Sequence, residues 1–398
     1  MKTMKNFLSM AALALMGAMM TGCSSDDNFD NPQQPENKSK VVTLTTTVGL
    51  DGGATTRALT ETGVKTFAVD DQIAVIYTKN GGTVTKAVSE KLISTDIASG
   101  SKSATFTVTL DDPDKTKQVT YIYPAAMAGS TDVDYTKLNS QDGTLESLQT
   151  KYDLCTKSGA WDSDNLPTLT LENQIAILAI NLKNGTDITS TITGMTISDG
   201  TNTYNVSRSA AAGPIYVAIR PTTSQNIEVT ATDGTDDYAK TLTSKTYAAN
   251  NGYNVTWNMT KLEKVVWNST NVFNDFYEDD ALNKWSRDPL TYEGITISIS
   301  GPDVSNFYPY STAAEDAVLV CYGDDGDSFT FTAPSGKKFY KIEIIDNSYM
   351  NFDAYGDWTR AANNKIVWRG TPANAVTLGT VYTNASHLNS IVFTLKDD

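Results

Sequence analysis

Residues 41–50 read VVTLTTTVGL. In an extended chain successive side chains point to opposite faces, so Val42, Leu44, Thr46, Val48 and Leu50 share one face and mostly Thr or Gly lie on the other. Alternation of this kind, in Val, Leu and Thr, predicts a half-buried antiparallel strand. The same period recurs in SATFTVTL, 103–110, with Ala104, Phe106, Val108 and Leu110 on one face, and in ITISIS, 295–300, with Ile295, Ile297 and Ile299. Turn signals at DGG (51), KNGG (79), KNG (183) and SDG (198) break the chain at short intervals, as β-sandwiches require. Only LESLQTKYD near 145 and NDFYEDDALNKW near 274 have the makings of two or three helical turns. That is too little helix for a layered α/β fold, and the expected class is all-β, built from antiparallel sandwiches.

A chain of 398 residues exceeds the usual size of one domain. The run IAILAINL, 175–182, is apolar almost throughout and predicts a strand buried on both faces, with a seam just after it at KNGTD. A second seam follows NNGYNVTWNMTK, 250–261, where a terminal-looking strand gives way to VVWNSTNVFNDFYEDD. Three β-rich units follow: 41–182, 183–262 and 263–398. The second is short for independent stability and is expected to pack tightly on the first.

Ahead of these units, Lys2 and Lys5 precede the apolar run FLSMAALALMGAMM, 7–20. Its length suits a secretory signal and falls short of the roughly 20 residues that span a bilayer. Thr21, Gly22 and Cys23 then resemble a bacterial lipobox, with Met20 where Leu is usual. The resemblance implies removal of residues 1–22 and a diacylated Cys23 as lipid anchor; an ordinary cleaved signal with an incidental cysteine is the plainer alternative. After Cys23 the chain continues as SSDDNFDNPQQPENKSK, 24–40, polar and without apolar period, which makes 23–40 an extended tether. Ser24, Ser25, Asp26 and Asp27 resemble an acidic surface-export signal, which implies the outer face of the outer membrane. Loss of Lys2 and Lys5 with the signal takes the formal charge from −15 to −17, which disfavours nucleic acid as a partner.

The search for catalytic chemistry is short. His387 is the single histidine and lies in the polar stretch VYTNASHLNS, which predicts a loop. No nucleophile elbow, paired metal histidines or phosphate loop accompanies it, so no catalytic residue and no cofactor is expected. Two carboxylates suffice for a glycosidase, and spacing neither singles out a pair nor excludes one. Cys155 and Cys321 are expected to be small core residues rather than a bridge. GDDGDSF, 323–329, offers Asp324, Asp325 and Asp327 within one turn, but lacks the spacing of a calcium loop, so a solvated turn is the better reading. DNSYMNFDAYGDW, 346–358, sets Tyr349, Phe352, Tyr355 and Trp358 among Asp, Asn and Gly. Such a loop suits contact with a sugar ring or a peptide, and equally suits capping of the third unit's core. NFYPYS at 306 is a second candidate of the same kind.

Four stretches in order, TTRALTETGVKTFAVDDQIAVIYT (55–78), VTYIYPAA (119–126), ENQIAILAINLKNG (172–185) and LTSKTYAANNGYNVTWNMTK (242–261), resemble the fimbrillin-like family. The resemblance covers roughly residues 41–262 and implies transthyretin-like β-sandwich domains in tandem, in a surface lipoprotein that is the precursor of a pilus subunit. It also implies cleavage by an arginine-specific protease between Arg57 and Ala58, which frees the first strand and lets other pilus subunits contribute a donated β-strand. The bland alternative is that Arg57 is an ordinary turn residue. Residues 263–398 match only generic β-sandwich modules appended to such proteins, which turns the expectation towards a tip or accessory adhesin with a host or bacterial glycan or protein as ligand. The other reading is a monomeric surface glycan-binding lipoprotein of a polysaccharide uptake system.

Overall fold

The structure, a computed structural model, describes residues 40–51, 66–271, 273, 289–300, 306–312, 315–323, 328–346, 356–361, 364–379 and 384–397. Alternating stretches form strands where their period places them, and the architecture is all-β. The first run comprises β1 (Val41–Leu50), β2 (Ala74–Thr78), β3 (Val84–Val88), β4 (Ser103–Asp111), β5 (Val119–Tyr123), the short β6 (Ser140–Gln141), β7 (Cys155–Gly159) and β8 (Leu169–Asn173). All but β6 join one sheet in the order β3-β2-β5-β7-β8-β1-β4. Its core gathers Val48, Phe106, Val108, Leu110, Tyr121 and Leu171, the inward halves of the alternating strands.

The next run comprises β9 (Ala176–Asn184), β10 (Thr186–Asp187), β11 (Gly194–Ser198), β12 (Thr203–Ser207), β13 (Ile215–Ile219), β14 (Thr222–Thr232), β15 (Asp237–Tyr247), β16 (Asn251–Asn258) and β17 (Thr260–Lys261). One sheet is β10-β9-β13 with β16 also on β9; the other runs β17-β15-β14-β11-β12-β6. IAILAINL is buried along nearly its whole length, as its unbroken apolar run predicts. β9 pairs antiparallel with β13 and parallel with β16, so its sheet partners all follow it in the chain. Continuous hydrophobicity reports burial of two faces but says nothing of which sheet supplies the neighbours. Here Ile76, Ile122, Leu138, Leu148 and Leu154 of the first run share the core of β9 with Ile197, Val229 and Trp257 of the second. The stretch near 145 makes only a short helix, Leu145–Ser147, that runs into a π turn at Leu148–Tyr152. The stretch near 274, NDFYEDDALNKW, lies outside the described residues.

The third run comprises β18 (Glu263–Asn268), β19 (Leu290–Tyr292), β20 (Ile295–Ser300), β21 (Asn306–Thr312), β22 (Glu315–Gly323), β23 (Ser328–Thr332), β24 (Lys337–Asp346), β25 (Trp358–Ala361), β26 (Lys365–Trp368), β27 (Ala375–Gly379) and β28 (Asn384–Asp397). Two sheets, β21-β22-β28-β24-β26-β25 with β18 on β28, and β19-β20-β23-β27, enclose an aromatic core that includes Trp267, Phe329, Phe331, Phe339 and Phe393. Two local expectations are corrected. VYTNASHLNS is read as a loop from its polarity, yet its backbone from Asn384 onward is β28, and His387 pairs with Val320. Leu388, Ile391, Phe393 and Leu395 anchor that strand in the core and carry the polar half with them. NFYPYS is β21, an edge strand, the place where a sheet tolerates a proline such as Pro309.

Candidate functional site

β1 occupies an unusual place for a first strand: it lies inside its sheet. From Val41–Asp111 to Gly49–Ser103 it runs antiparallel to β4, and at Val48–Leu169, Gly49–Thr170 and Leu50–Leu171 it runs parallel to β8. Among the described residues, β4 has no other strand ladder. β1 is thus the bridge that joins β4 to the rest of the sheet.

Its side chains fit that position by the period expected of them. Val48 and Leu50 are buried, and Val42 and Leu44 pack partly buried on the same core. The pairs Val42–Leu110, Leu44–Val108, Thr46–Phe106 and Val48–Ala104 lie directly opposite one another on the inward face. A threonine in this row needs a partner for its hydroxyl. Thr46 Oγ1 donates to the Pro167 carbonyl at 2.8 Å, and the Tyr121 hydroxyl donates to the same oxygen at 2.9 Å. Burial pushes the Tyr121 hydroxyl pKa well up, only partly offset by its hydrogen bond to Thr46, so it stays a donor. On the outer face Thr43 and Thr109 join hydroxyls at 2.9 Å. Burial fades towards the start of the strand, where Val41 is 58% exposed.

Both ends of the link that follows β1 are tied to this unit. Leu50 N donates to Lys102 O and Asp51 N to Leu171 O; beyond the link, Phe67 N donates to Ser101 O. The Phe67 ring meets Phe106 and Tyr123 edge-on at 5.3 and 5.1 Å. Arg57 and Ala58 belong to the link itself, 52–65, which lies outside the described residues. So do Cys23, Tyr349, Phe352, Tyr355 and the Asp324 loop.

Trp358 is the one member of the aromatic group that is described, and it belongs to the core. It opens β25 at 4% exposure, 6.2 Å from Phe331, and its Nε1 donates to Thr377 O at 2.9 Å. Trp358→Ala is therefore expected to cost about 3–5 kcal/mol of stability, as buried aromatic truncations do, read as an earlier urea midpoint. A near-unchanged midpoint would put the ring at the surface. Cys155 is buried and not disulfide-bonded. Among the described residues no cluster of His, Cys, Asp or Glu has the arrangement of a metal site. Among them, too, no helix is long and apolar enough to cross a membrane.

Sequence reasoning missed a buried ionic cluster between the second and third units. Lys341 of β24, 8% exposed in its side chain, lies 2.9 Å from Asp237 of β15 and 2.9 Å from Glu343. Lys365 pairs with Glu343, and Lys264 lies 3.4 Å from Asp237. Burial alone would raise the Asp237 pKa, but the Lys341 hydrogen bond and the charges of Lys341, Lys264 and Arg369 outweigh it and hold the carboxyl below its ordinary range. Glu343 is held down in the same way, against its burial, by Lys365 and Lys341. A signal was present in FYKIEII, where Lys341 and Glu343 share one face of an otherwise apolar strand.

No protein-family model matches the chain, and no curated protein matches it by sequence. Solved structures match over about half of it. The tip fimbrial protein Mfa3 from Porphyromonas gingivalis is 12% identical over 56% of this chain and 98% of that one, with a TM-score of 0.25. A fimbrial assembly protein from Parabacteroides distasonis is 11% identical over 56% of this chain and 94% of that one, with a TM-score of 0.30. A proposed cell adhesion protein from Bacteroides fragilis is 12% identical over 55% and 96%, with a TM-score of 0.30.

Proposed function

We propose that the chain is the precursor of a surface pilus subunit, most plainly a tip or accessory adhesin, anchored through Cys23 and assembled by exchange of β1. The observation that carries this reading is the place of β1, interposed between β8 and β4 and followed by the Arg57 link. A cut in that link leaves β1 covalently separate from the sheet it completes. Its departure uncovers Phe106, Val108 and Leu110 along one side and Leu171 on the other, with unpaired backbone on β4 and β8. An open strand slot with an apolar floor accepts an extended segment of another chain through backbone hydrogen bonds and alternate side-chain pockets. The incoming strand must run parallel to β8 and antiparallel to β4 to reproduce the register of β1.

Digestion of the purified chain with an arginine-specific protease tests the cut. The expected result is a new N-terminus at Ala58, absent in Arg57→Ala, while the folded units resist. Cleavage spread over many sites, or an intact chain, would count against the proposal.

A further inference from the structure

Where the second unit meets the third, the two leave a cleft of about 1130 Å³. One wall is the outward face of the sheet that contains β11, β12 and β14. Its inward residues Met195, Ile197, Val229 and Ala231 fill the core, so alternation projects Thr196, Ser198, Thr203 and Thr230 into the cleft. At one end β14 shifts register between Gln225 and Ile227 and presents two amides, Gln225 and Asn226. Asn226 Oδ1 accepts from Ser244 N, which fixes the amide and leaves its NH₂ group as a donor.

The opposite wall comes from the third unit: Tyr340 of β24, then Asp357, Arg369 and the turn Gly370–Pro372. Tyr340 and Arg369 also line an adjoining recess of about 200 Å³ over Thr196 and Thr230. Gly370 lets Asp357 sit close: a Cβ there would collide with the Asp357 carboxylate and the Trp368 ring. Among the described residues, the side chains of Tyr340, Asp357 and Arg369 have no hydrogen bond or ion pair. The walls themselves are braced. Lys341, the neighbour of Tyr340, is buried against Asp237, and Lys396 pairs with Glu228 at 2.7 Å at the rim.

The lining selects among ligands. Its residues carry hydroxyls, amides and charges, while their carbon atoms supply slightly more of the lining surface than their polar atoms, so hydrogen-bonding groups alternate with C–H surface. Asp199, Glu228 and Asp357 outnumber Arg369 and Lys396 in the lining, and the chain as a whole carries −15, so a polyanion gains little here. The volume slightly exceeds the roughly 300–1,000 Å³ of ordinary small-molecule pockets. Rows of hydroxyls and amides beside an aromatic face suit a ligand with many hydroxyls and flat C–H faces. We propose that this cleft binds a neutral oligosaccharide, with Tyr340 as the stacking platform and Asn226, Asp357 and Arg369 as partners for the sugar hydroxyls. The proposal stands independently of strand exchange, since β1 contributes nothing to either wall.

The test is an array of immobilised neutral, sialylated, uronic and sulfated glycans probed with residues 23–398, followed by calorimetry with the soluble form of the strongest neutral glycan. The expected result is retention on neutral glycans, with at least tenfold weaker binding for Tyr340→Ala and for Arg369→Gln. Arg369 is exposed, so its variant is expected to fold, and its thermal midpoint, measured alongside, separates recognition from folding. Retention of acidic glycans alone, of none, or of neutral glycans equally by both variants would overturn the assignment.

Discussion

Lys341→Ala is expected to destabilise the chain by about 3 kcal/mol or more, the usual cost of breaking a buried ion pair by removing one partner. Asp237 is left 2% exposed in its side chain, with Lys264 at 3.4 Å and the charge of Arg369 to answer its own. Glu343 keeps Lys365, which limits the loss on that side. Replacing both partners, Lys341→Met with Asp237→Leu, is expected to recover much of the loss, since no charge is then buried unpaired. A double-mutant cycle by urea denaturation measures the coupling. The pH dependence has a definite sign. A carboxyl held below its unfolded value of about 3.9 contributes stability above that pH, and loses it as pH falls through the depressed folded value. The acid limb of the stability curve should therefore flatten in Lys341→Ala.

Removal of β1 is expected to cost more. Fully burying one Val or Leu contributes about 1.5–3 kcal/mol, and β1 buries Val48 and Leu50 fully and Val42 and Leu44 in part. The total, on the order of 5 kcal/mol or more, is comparable with the whole stability of an ordinary domain. β4 also loses its ladder from Ser103 to Asp111. A chain beginning at Ala58 should therefore be unstable as a monomer and self-associate, while the full chain stays monomeric.

Much of this was legible in the residues, and the limits have physical causes. Alternation in VVTLTTTVGL and SATFTVTL placed the inward residues of β1 and β4, because strand period is a local property. Which strands adjoin is decided by distant partners, so neither the interior place of β1 nor the membership of β9 could be read from their own sequences. Polarity misled at β28, where apolar Leu388 and Ile391 outweighed the Thr, Ser and Asn before them. At Trp358, Asp and Gly neighbours suggested a loop, and β25 begins directly after the turn they make. The cleft was invisible for a further reason: its walls, Thr196 to Thr230 and Tyr340 to Pro372, belong to two units and meet only when these pack.

The central claim, that β1 is a removable strand whose slot takes another chain's strand, is tested most directly by strand replacement. The chain beginning at Ala58 is mixed with a labelled peptide copying residues 41–50, then followed by size-exclusion chromatography and thermal melting. The account predicts one-to-one capture of the peptide, a return to monomer and a raised melting midpoint. A Val48→Asp peptide should do none of these, because position 48 is fully buried opposite Ala104. A shortened chain that stays monomeric, melts like the full chain and ignores the peptide would contradict it.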